Sequence, residues 1–395
     1  MRLVRLPDVS VGSESAGAAE SLTDTSVREH SVRKHSVGKH PVRKHPVRKH
    51  PVRKHSVRKC SVRKRSVIEH EPGAGRGTGR GTGTGSIPSP GRWRRGRVLA
   101  ALALLTALVM SAHRHVPDRV GHLGSLVETF LPWTGVAVPL LLLGALVRRS
   151  ATAAVAVLLP AVTWCALFGG TLLDKRSGGG DLTVVSHNVN EHNPRPARTA
   201  RALAAAGADV VALEEMSGTA VPEYAGALAS THPYHSVQGS VGLWSTYPIA
   251  DARPVDISPW VRAMRATVRT PKGPVAFYVA HLMSVRVTAS SGFATGARDA
   301  AARRLGAALR AETLPRTVLL GDLNGTFDDR ALAAVTSRLR SAQAEAGAGF
   351  GFTWPAAFPV ARIDQILVRG VDPRSSWTLP ATDSDHLPVA AGLKL

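Results

Sequence analysis

Thr317-Val318-Leu319-Leu320-Gly321-Asp322-Leu323-Asn324 runs from a β-favouring stretch straight into a glycine, a carboxylate and an amide. Such a run reads as a buried strand whose end carries groups able to bind or move protons. The pattern recurs along the last half of the chain. Val210-Val211-Ala212-Leu213 leads into Glu214-Glu215, and further short polar motifs stand at Ser186-His187-Asn188-Val189-Asn190, Ala280-His281-Leu282, Arg362-Ile363-Asp364 and Ser384-Asp385-His386. Apolar strands that end in acidic, amide or imidazole groups point to one site built at one edge of a sheet.

Around these motifs the elements alternate. Strands are expected at 182–188, 209–213, 241–245, 263–270, 275–281, 318–320, 362–368 and 387–393, with helices at 196–206, 221–230 and 295–312. The last helix carries Ala297, Ala301, Leu305, Ala308 and Leu309 as an inward stripe. Strands mostly in antiparallel runs, interleaved with helices, predict an α+β fold: a four-layer sandwich of two mostly antiparallel sheets covered by helices, over residues 181–395. About 215 residues suffice for one sizeable core. Cys60 and Cys165 are the only cysteines, both upstream, so no disulfide staples this half.

The chain ahead of that domain is of another kind. Three apolar stretches, about 98–112, 130–147 and 151–173, have no polar face to turn to water, and the third meets the requirement of roughly 20 apolar residues for a bilayer crossing. They predict a three-span membrane anchor over 91–174, with 175–180 as a short glycine-rich linker. Arg92, Arg94, Arg95 and Arg97 precede the first span and Arg148 and Arg149 fill the turn after the second. The positive-inside rule puts both clusters in the cytoplasm, which places the domain outside the cell membrane. Arg114, Arg119, Lys175 and Arg176 weigh on the other side.

Within residues 1–90, Ser26 to Arg65 repeats a five-residue unit of the type Pro/Ser-Val-Arg-Lys-His, and Gly-Arg-Gly-Thr repeats follow at Gly75 to Gly85. Five-residue periodicity fits neither helix nor strand, and so little apolar content cannot offset the entropy of ordering, so a disordered basic arm is expected. It is either an adhesive segment for anionic lipid or nucleic acid, or a bland low-complexity extension. The formal net charge of +22 lies almost wholly upstream of Asp181, because from there onward 21 Lys and Arg face 18 Asp and Glu. A nearly neutral domain lacks the concentrated basic footprint by which nucleases engage long duplexes.

Glu215 and Asp385 with the amide oxygen of Asn188 are the hard oxygen ligands that suit magnesium, with manganese as the alternative, and the absence of cysteine argues against a thiolate zinc site. Such a set suits hydrolysis of a phosphate ester, the metal neutralising phosphate charge while Asp or His groups move protons. Taken singly, Gly321-Asp322 is as readily a turn and Asp385-His386 a loop pair before Pro388.

In order, Asn188, Glu215, Gly242-Leu243-Trp244-Ser245-Thr246-Tyr247-Pro248-Ile249, His281, Gly321-Asp322-Leu323-Asn324, Arg362-Ile363-Asp364 and Ser384-Asp385-His386 resemble the endonuclease/exonuclease/phosphatase superfamily. The resemblance covers about Asp181 to the carboxyl terminus. It implies that Glu215, Asn188 and Asp385 hold the metal, that Asp322 activates water or protonates the leaving group, and that Asn324 orients water or a phosphate oxygen. It further implies that His386 contacts the scissile phosphate, that Asp364 fixes its ring, and that His281 is a second acid-base histidine. Acid and base remain unassigned among them. Glu214 stands where the family usually has Gln, an extra carboxylate either beside the site or turned away, and Val279-Ala280 stand where Asn-Thr is frequent. The three-span anchor also resembles VanJ-type teicoplanin-resistance membrane proteins of actinomycetes. The expected function is therefore a membrane-anchored phosphohydrolase acting on lipid-linked phosphate or pyrophosphate of cell-wall synthesis. The alternatives are a surface nuclease or phosphodiesterase, and a non-catalytic domain binding lipid or a partner.

Overall fold

A computed structural model describes residues 96–119, 121–288 and 292–395; the basic arm expected over 1–90 lies outside them. The first helices are α1 (Arg97–Ala112), α2 (Leu123–Phe130), α3 (Ala137–Val147) and α4 (Ala151–Leu172). Three stretches, Arg97–His115, Leu123–Val147 and Ala151–Leu172, are long and apolar enough to cross a membrane. The second begins earlier than residue 130, because α2 continues through a 3₁₀ turn at Leu131–Val136 into α3. Sequence hydropathy loses α2 because its buried face is polar, with Ser125, Glu128 and Thr129 turned toward the domain.

The domain continues with β1 (Leu182–Asn188), α5 (Pro196–Ala204), β2 (Val210–Glu214), α6 (Val221–Leu228), β3 (Tyr234–Gln238), β4 (Val241–Ser245), β5 (Ile249–Pro254), β6 (Ala263–Thr270) and β7 (Gly273–Ala280). A small hairpin of β8 (Arg286–Thr288) and β9 (Gly292–Ala294) leads to α7 (Gly296–Ala311) and β10 (Thr317–Asp322). Short α8 (Ala333–Thr336), β11 (Arg340–Ser341) and α9 (Ala342–Ala346) precede β12 (Asp364–Arg369), β13 (Asp372–Thr378) and β14 (Val389–Lys394).

Two mixed six-stranded sheets result, in the orders β13-β14-β1-β2-β4-β3 and β11-β12-β10-β7-β6-β5. Only β1 with β2 and β10 with β7 pair in parallel within them. The sheets face each other across one apolar layer that takes alternate residues of each strand, including Val184, Ala212, Val318, Leu320, Ile366 and Val389. The opposite faces are covered by helices: Val185, Val211 and Leu213 pack under α5 and α6, while Leu319 and Tyr278 pack under α7. On α7, Ala301, Leu305 and Leu309 face inward as expected, but Ala297 is exposed and Arg298 takes the buried place beside it. Burying one such Val or Leu contributes about 1.5–3 kcal/mol, so the two-faced alternation fixes strand register.

The N-terminal apolar helices are docked on the domain. Ser125 Oγ donates to Asp329 Oδ1 at 3.1 Å, Arg330 N to Glu128 Oε2 at 3.1 Å, and Trp133 Nε1 to Val360 O at 2.8 Å. The stretch 175–180 has no helix or strand and is held at Lys175 N by Gly347 O and at Ser177 N by Arg374 O.

Candidate active site

Side chains on a strand alternate, so residues that share a face with Val184 and Val318 also point between the sheets. That parity carries Ser186 and Asn188 on β1, Glu214 on β2, Asp322 on β10 and Asp364 on β12 to one end of the inter-sheet layer, where apolar filling gives way to polar groups. Register agrees, since Asn188 pairs with Glu214 in one sheet and Asp322 with Asp364 in the other. The two sheets meet there: Asn188 Nδ2 donates to Asp322 Oδ2 at 3.1 Å.

Asp322 is the hub. Its Oδ1 accepts Asn324 N at 2.8 Å, Asn324 Nδ2 lies 3.2 Å from Oδ2, and the Nε2 atoms of His281 and His386 lie 3.7 and 3.8 Å from Oδ2. Gly321 makes this possible, because β10 runs so close to β7 that a Cβ at 321 would sit 1.9 Å from Ala280 O, at a φ of +145°. Burial pushes the Asp322 carboxyl up, and the neighbouring Asp364 adds to the shift while His386 opposes it.

His386 Nδ1 donates to Asp364 at 2.9 Å, which fixes the ring and leaves Nε2 facing Asp322. Burial works against its positive charge, but Asp364 and Asp322 outweigh it and hold the imidazole well above its ordinary 6.5. His281 is the opposite case. It is 2% exposed, and burial, then the positive charges of Arg262 and His386, keep it well below 6.5. Arg262 Nη2 lies 2.7 and 2.6 Å from its two ring nitrogens, and Arg262 Nε donates to its carbonyl at 3.1 Å. The surroundings thus favour the charged form of His386 and the neutral form of His281.

The three residues expected to hold a metal are placed by a different set of contacts. Glu215 leaves β2 in the left-handed region, φ 60°, with its carboxylate 34% exposed and 3.9 Å from His281 Nε2. No described residue donates a hydrogen bond to that carboxylate. Asn188 Oδ1 accepts Asn190 N at 3.1 Å and keeps a second lone pair. Asp385 accepts Asn190 Nδ2 at 2.9 Å and Trp354 Nε1 at 3.3 Å. An all-oxygen donor set with an unbonded carboxylate fits a hard divalent cation. The tightest grouping of His and carboxylate side chains among the described residues is instead Asp322, Asp364 and His386. That grouping is a poor cation site, because Nδ1 of His386 is spent on Asp364 and a protonated ring has no lone pair to give.

Glu214 turns inward beneath the site rather than toward its mouth. It is fully buried, accepts Ser186 Oγ at 2.9 Å, and burial raises its carboxyl well above the ordinary range. His187, of opposite parity, faces the helix layer, bonds Thr382 Oγ1 at 2.8 Å, and burial lowers it to about 3. Four further residues complete the site, Asn190 and Ser384 from motifs already quoted and Trp354 and Arg262 from outside them. Asn190 bridges Asn188 and Asp385 from a left-handed φ of 64°, and Ser384 Oγ donates to Asn188 O while accepting His386 N. Trp354 holds Asp385 and Arg262 holds His281. The only advance signals were an asparagine in a loop after a strand, a residue type that tolerates left-handed backbone, and the aromatic at 354.

A family model described as the Endonuclease/Exonuclease/phosphatase family matches residues 185–386. No curated protein matches the chain. Similar solved structures include sphingomyelinase C from Streptomyces griseocarneus, 21% identical, covering 53% of this chain and 98% of that one at a TM-score of 0.42. A mannosyl-6-phosphatase from Bacteroides thetaiotaomicron is 18% identical and covers 54% and 100% at a TM-score of 0.45. A beta toxin mutant from Staphylococcus aureus with bound magnesium ions is 16% identical and covers 54% and 99% at a TM-score of 0.43.

Proposed function

The chain belongs to the endonuclease/exonuclease/phosphatase family, whose members are divalent-metal-dependent phosphohydrolases, and from that premise we propose a membrane-anchored phosphohydrolase acting on lipid-linked phosphate or pyrophosphate of cell-wall synthesis. The observation that carries the reading is the meeting of His386, its ring fixed by Asp364, with the buried Asp322 carboxyl, in a domain joined to three helices long and apolar enough to cross a membrane. His386 Nε2–H faces outward from Asp364 and binds a phosphoryl oxygen as a charged donor. Asp322, with Asn324 beside it, takes the proton of the attacking water or returns one to the leaving oxygen. Neutral His281, held by Arg262, keeps one ring nitrogen able to accept a proton. Glu215, Asn188 and Asp385 would hold magnesium or manganese, which supplies charge neutralisation at the phosphate.

The anchor confines the domain to the membrane surface, and the near balance of charge disfavours long nucleic acid as substrate. The likeness of the three-span architecture to VanJ-type proteins supports an extracytoplasmic active site and an effect on glycopeptide resistance through the lipid-carrier pool. The test is phosphate release by the detergent-purified full chain from undecaprenyl pyrophosphate, with sphingomyelin, inositol phosphates and plasmid DNA in parallel, each with magnesium and with chelator. Metal-dependent release from the prenyl substrate, absent in Asp322→Ala and His386→Ala, is the expected result. Turnover of DNA instead, with the same dependence on Asp322, would replace the substrate and keep the chemistry.

A further inference from the structure

Two cavities lie where the anchor meets the domain, away from Asp322 and His386. The first, about 360 Å³, is walled by the end of α1, by α2, by the C-terminal turns of α4 and by the domain residues Thr326, Gln343, Arg362 and Gln365. The second, about 490 Å³, is almost wholly apolar and is walled by Trp133, Val136, Trp164 and Cys165. Pro132, Phe350 and Phe352 line both, so the two adjoin.

The polar cavity collects buried groups without partners. Arg362 is 7% exposed and spends only Nη1, which donates to Gly351 O at 2.7 Å. Its Nε and Nη2 have no hydrogen-bond partner among the described residues, and neither do Thr326 Oγ1, Gln343 Oε1 and Gln365 Oε1 on the same wall. A buried guanidinium edge left open is costly, and its two parallel donors match a phosphate better than any other common group. The two carboxyls on the wall have other partners, Glu128 with Arg330 at 3.5 Å and Asp328 with Arg114 and His113 as its charged neighbours, while Asp364, outside the wall, acts on Arg362 by charge only and is hydrogen-bonded to His386.

Depth along α4 gives the second half of the argument. Leu167, Phe168 and Thr171 line the polar cavity, and Ala161, Trp164 and Cys165 line the apolar one. Residues 161 to 171 span about 15 Å of helix, close to half of a hydrocarbon core of about 30 Å. Polar end near the domain and apolar end one leaflet deep is the profile of a single membrane lipid.

We propose that the adjoining cavities form one site for a phosphate-bearing membrane lipid, its phosphate on the free edge of Arg362 and its chain along Trp133 and Trp164. The lipid held there does not reach the catalytic groups and is not the substrate. It cements α2 and α4 to the 350–362 segment, which also carries Trp354 to Asp385.

Native mass spectrometry of the delipidated full chain in detergent, titrated with dipalmitoyl phosphatidic acid, dipalmitoylglycerol or inorganic phosphate, tests this without any turnover. A single phosphatidic acid adduct is expected, with at least fivefold less adduct from dipalmitoylglycerol and no competition from inorganic phosphate. Arg362→Gln brings phosphatidic acid down to the level of dipalmitoylglycerol, and Ala161→Phe, which fills the apolar end, weakens both. Asp322→Asn leaves the adduct unchanged. Should Arg362→Gln fail to fold, Thr326→Val, which removes an unpartnered hydroxyl donor from the same wall, is expected to reduce the phosphatidic acid adduct selectively. Equal adducts from the two lipids, displacement by inorganic phosphate, loss in Asp322→Asn, or no adduct at all would overturn the proposal, the last leaving cavities filled by water and bulk lipid. Failure here leaves the phosphohydrolase reading untouched, because that reading is judged by phosphate release.

Discussion

Two buried carboxyls flank the His386 ring, one bonded to Nδ1 and one facing Nε2, and favour its charged form. Asp364→Asn removes the first and is expected to lower turnover about 100-fold or more with KM little changed. It also lets the His386 pKa fall toward its ordinary 6.5, so the variant's residual activity should decline as pH rises through that value, while the wild-type imidazolium persists well above it. A pH–rate profile of both proteins checks this, and an unshifted alkaline limb would remove His386 from the charged role. At this scale the sequence was most readable where a residue sits in a strand: Asn188, Asp322 and Asp364 lie together by parity alone. It was least readable where geometry depends on loops. Asn190, Glu215 and Asn324 all take left-handed backbone at the site, and nothing in their spacing announces which way such a residue turns its side chain. Glu214 shows the same limit, since strand parity could turn it to the core and it is the left-handed turn after it that leaves Glu215 at the mouth.

Between elements, polar contacts do what apolar patterning does within them. Arg298 of α7 is 1% exposed; its Nη1 donates to Asp329 Oδ2 at 2.6 Å and to Asn324 O at 3.2 Å, and its Nη2 donates to Ser125 Oγ of α2 at 3.2 Å. One guanidinium thus ties the anchor to the backbone of a site residue. Arg298→Met leaves Asp329 buried without its charge partner, which costs about 3–5 kcal/mol. Thermal unfolding of the full chain in detergent should show that loss, and turnover should fall with it because Asn324 loses its support. A second buried pair gives a pH signature. Burial alone would raise Glu312, but Arg265 Nε at 2.9 Å, Leu314 N at 2.9 Å and Tyr278 OH at 3.0 Å hold it down at about 2. A folded value below the unfolded 4.5 means the stabilisation, roughly 3 kcal/mol, is full above pH 4.5 and is lost as pH falls toward 2. The stability gap between wild type and Glu312→Gln should therefore be constant from pH 7 to 5 and close on further acidification. Among the strands absent from the sequence reading, β3, β5 and β13 share a cause. Two are sheet edges and β5 ends the other sheet, so their faces are half exposed and Tyr234-His235-Ser236 or Asp372-Pro373-Arg374-Ser375 carries no apolar alternation to read.

For the molecule as a whole, the position of the site follows from having two sheets rather than one. Each sheet contains one parallel pair, β1 with β2 and β7 with β10, so the C-terminal ends of these four strands gather Asn188, Glu214, His281 and Asp322 at one end of the sandwich. The anchor docks through α2 and Trp133 onto segments that flank this end, 326–330 and 350–362, and so fixes how the site is presented to a membrane. Which face of the membrane it meets depends on Arg148 and Arg149 between α3 and α4. The orientation we propose rests on the positive-inside rule, which favours that turn in the cytoplasm, and on α4 being long and apolar enough for one crossing, which would put the domain on the other side. In a chain with Cys60 and Cys165 replaced by Ser, Thr219→Cys on the domain surface should react with a membrane-impermeant maleimide in intact cells, whereas Arg148→Cys should react only after permeabilisation. The reverse pattern would place the catalytic groups inside, where soluble phosphate esters rather than outward-facing lipid pyrophosphates are the accessible substrates. The same pair of variants thus decides between a cell-wall lipid and a cytoplasmic metabolite as the class of substrate, independently of any assay of turnover.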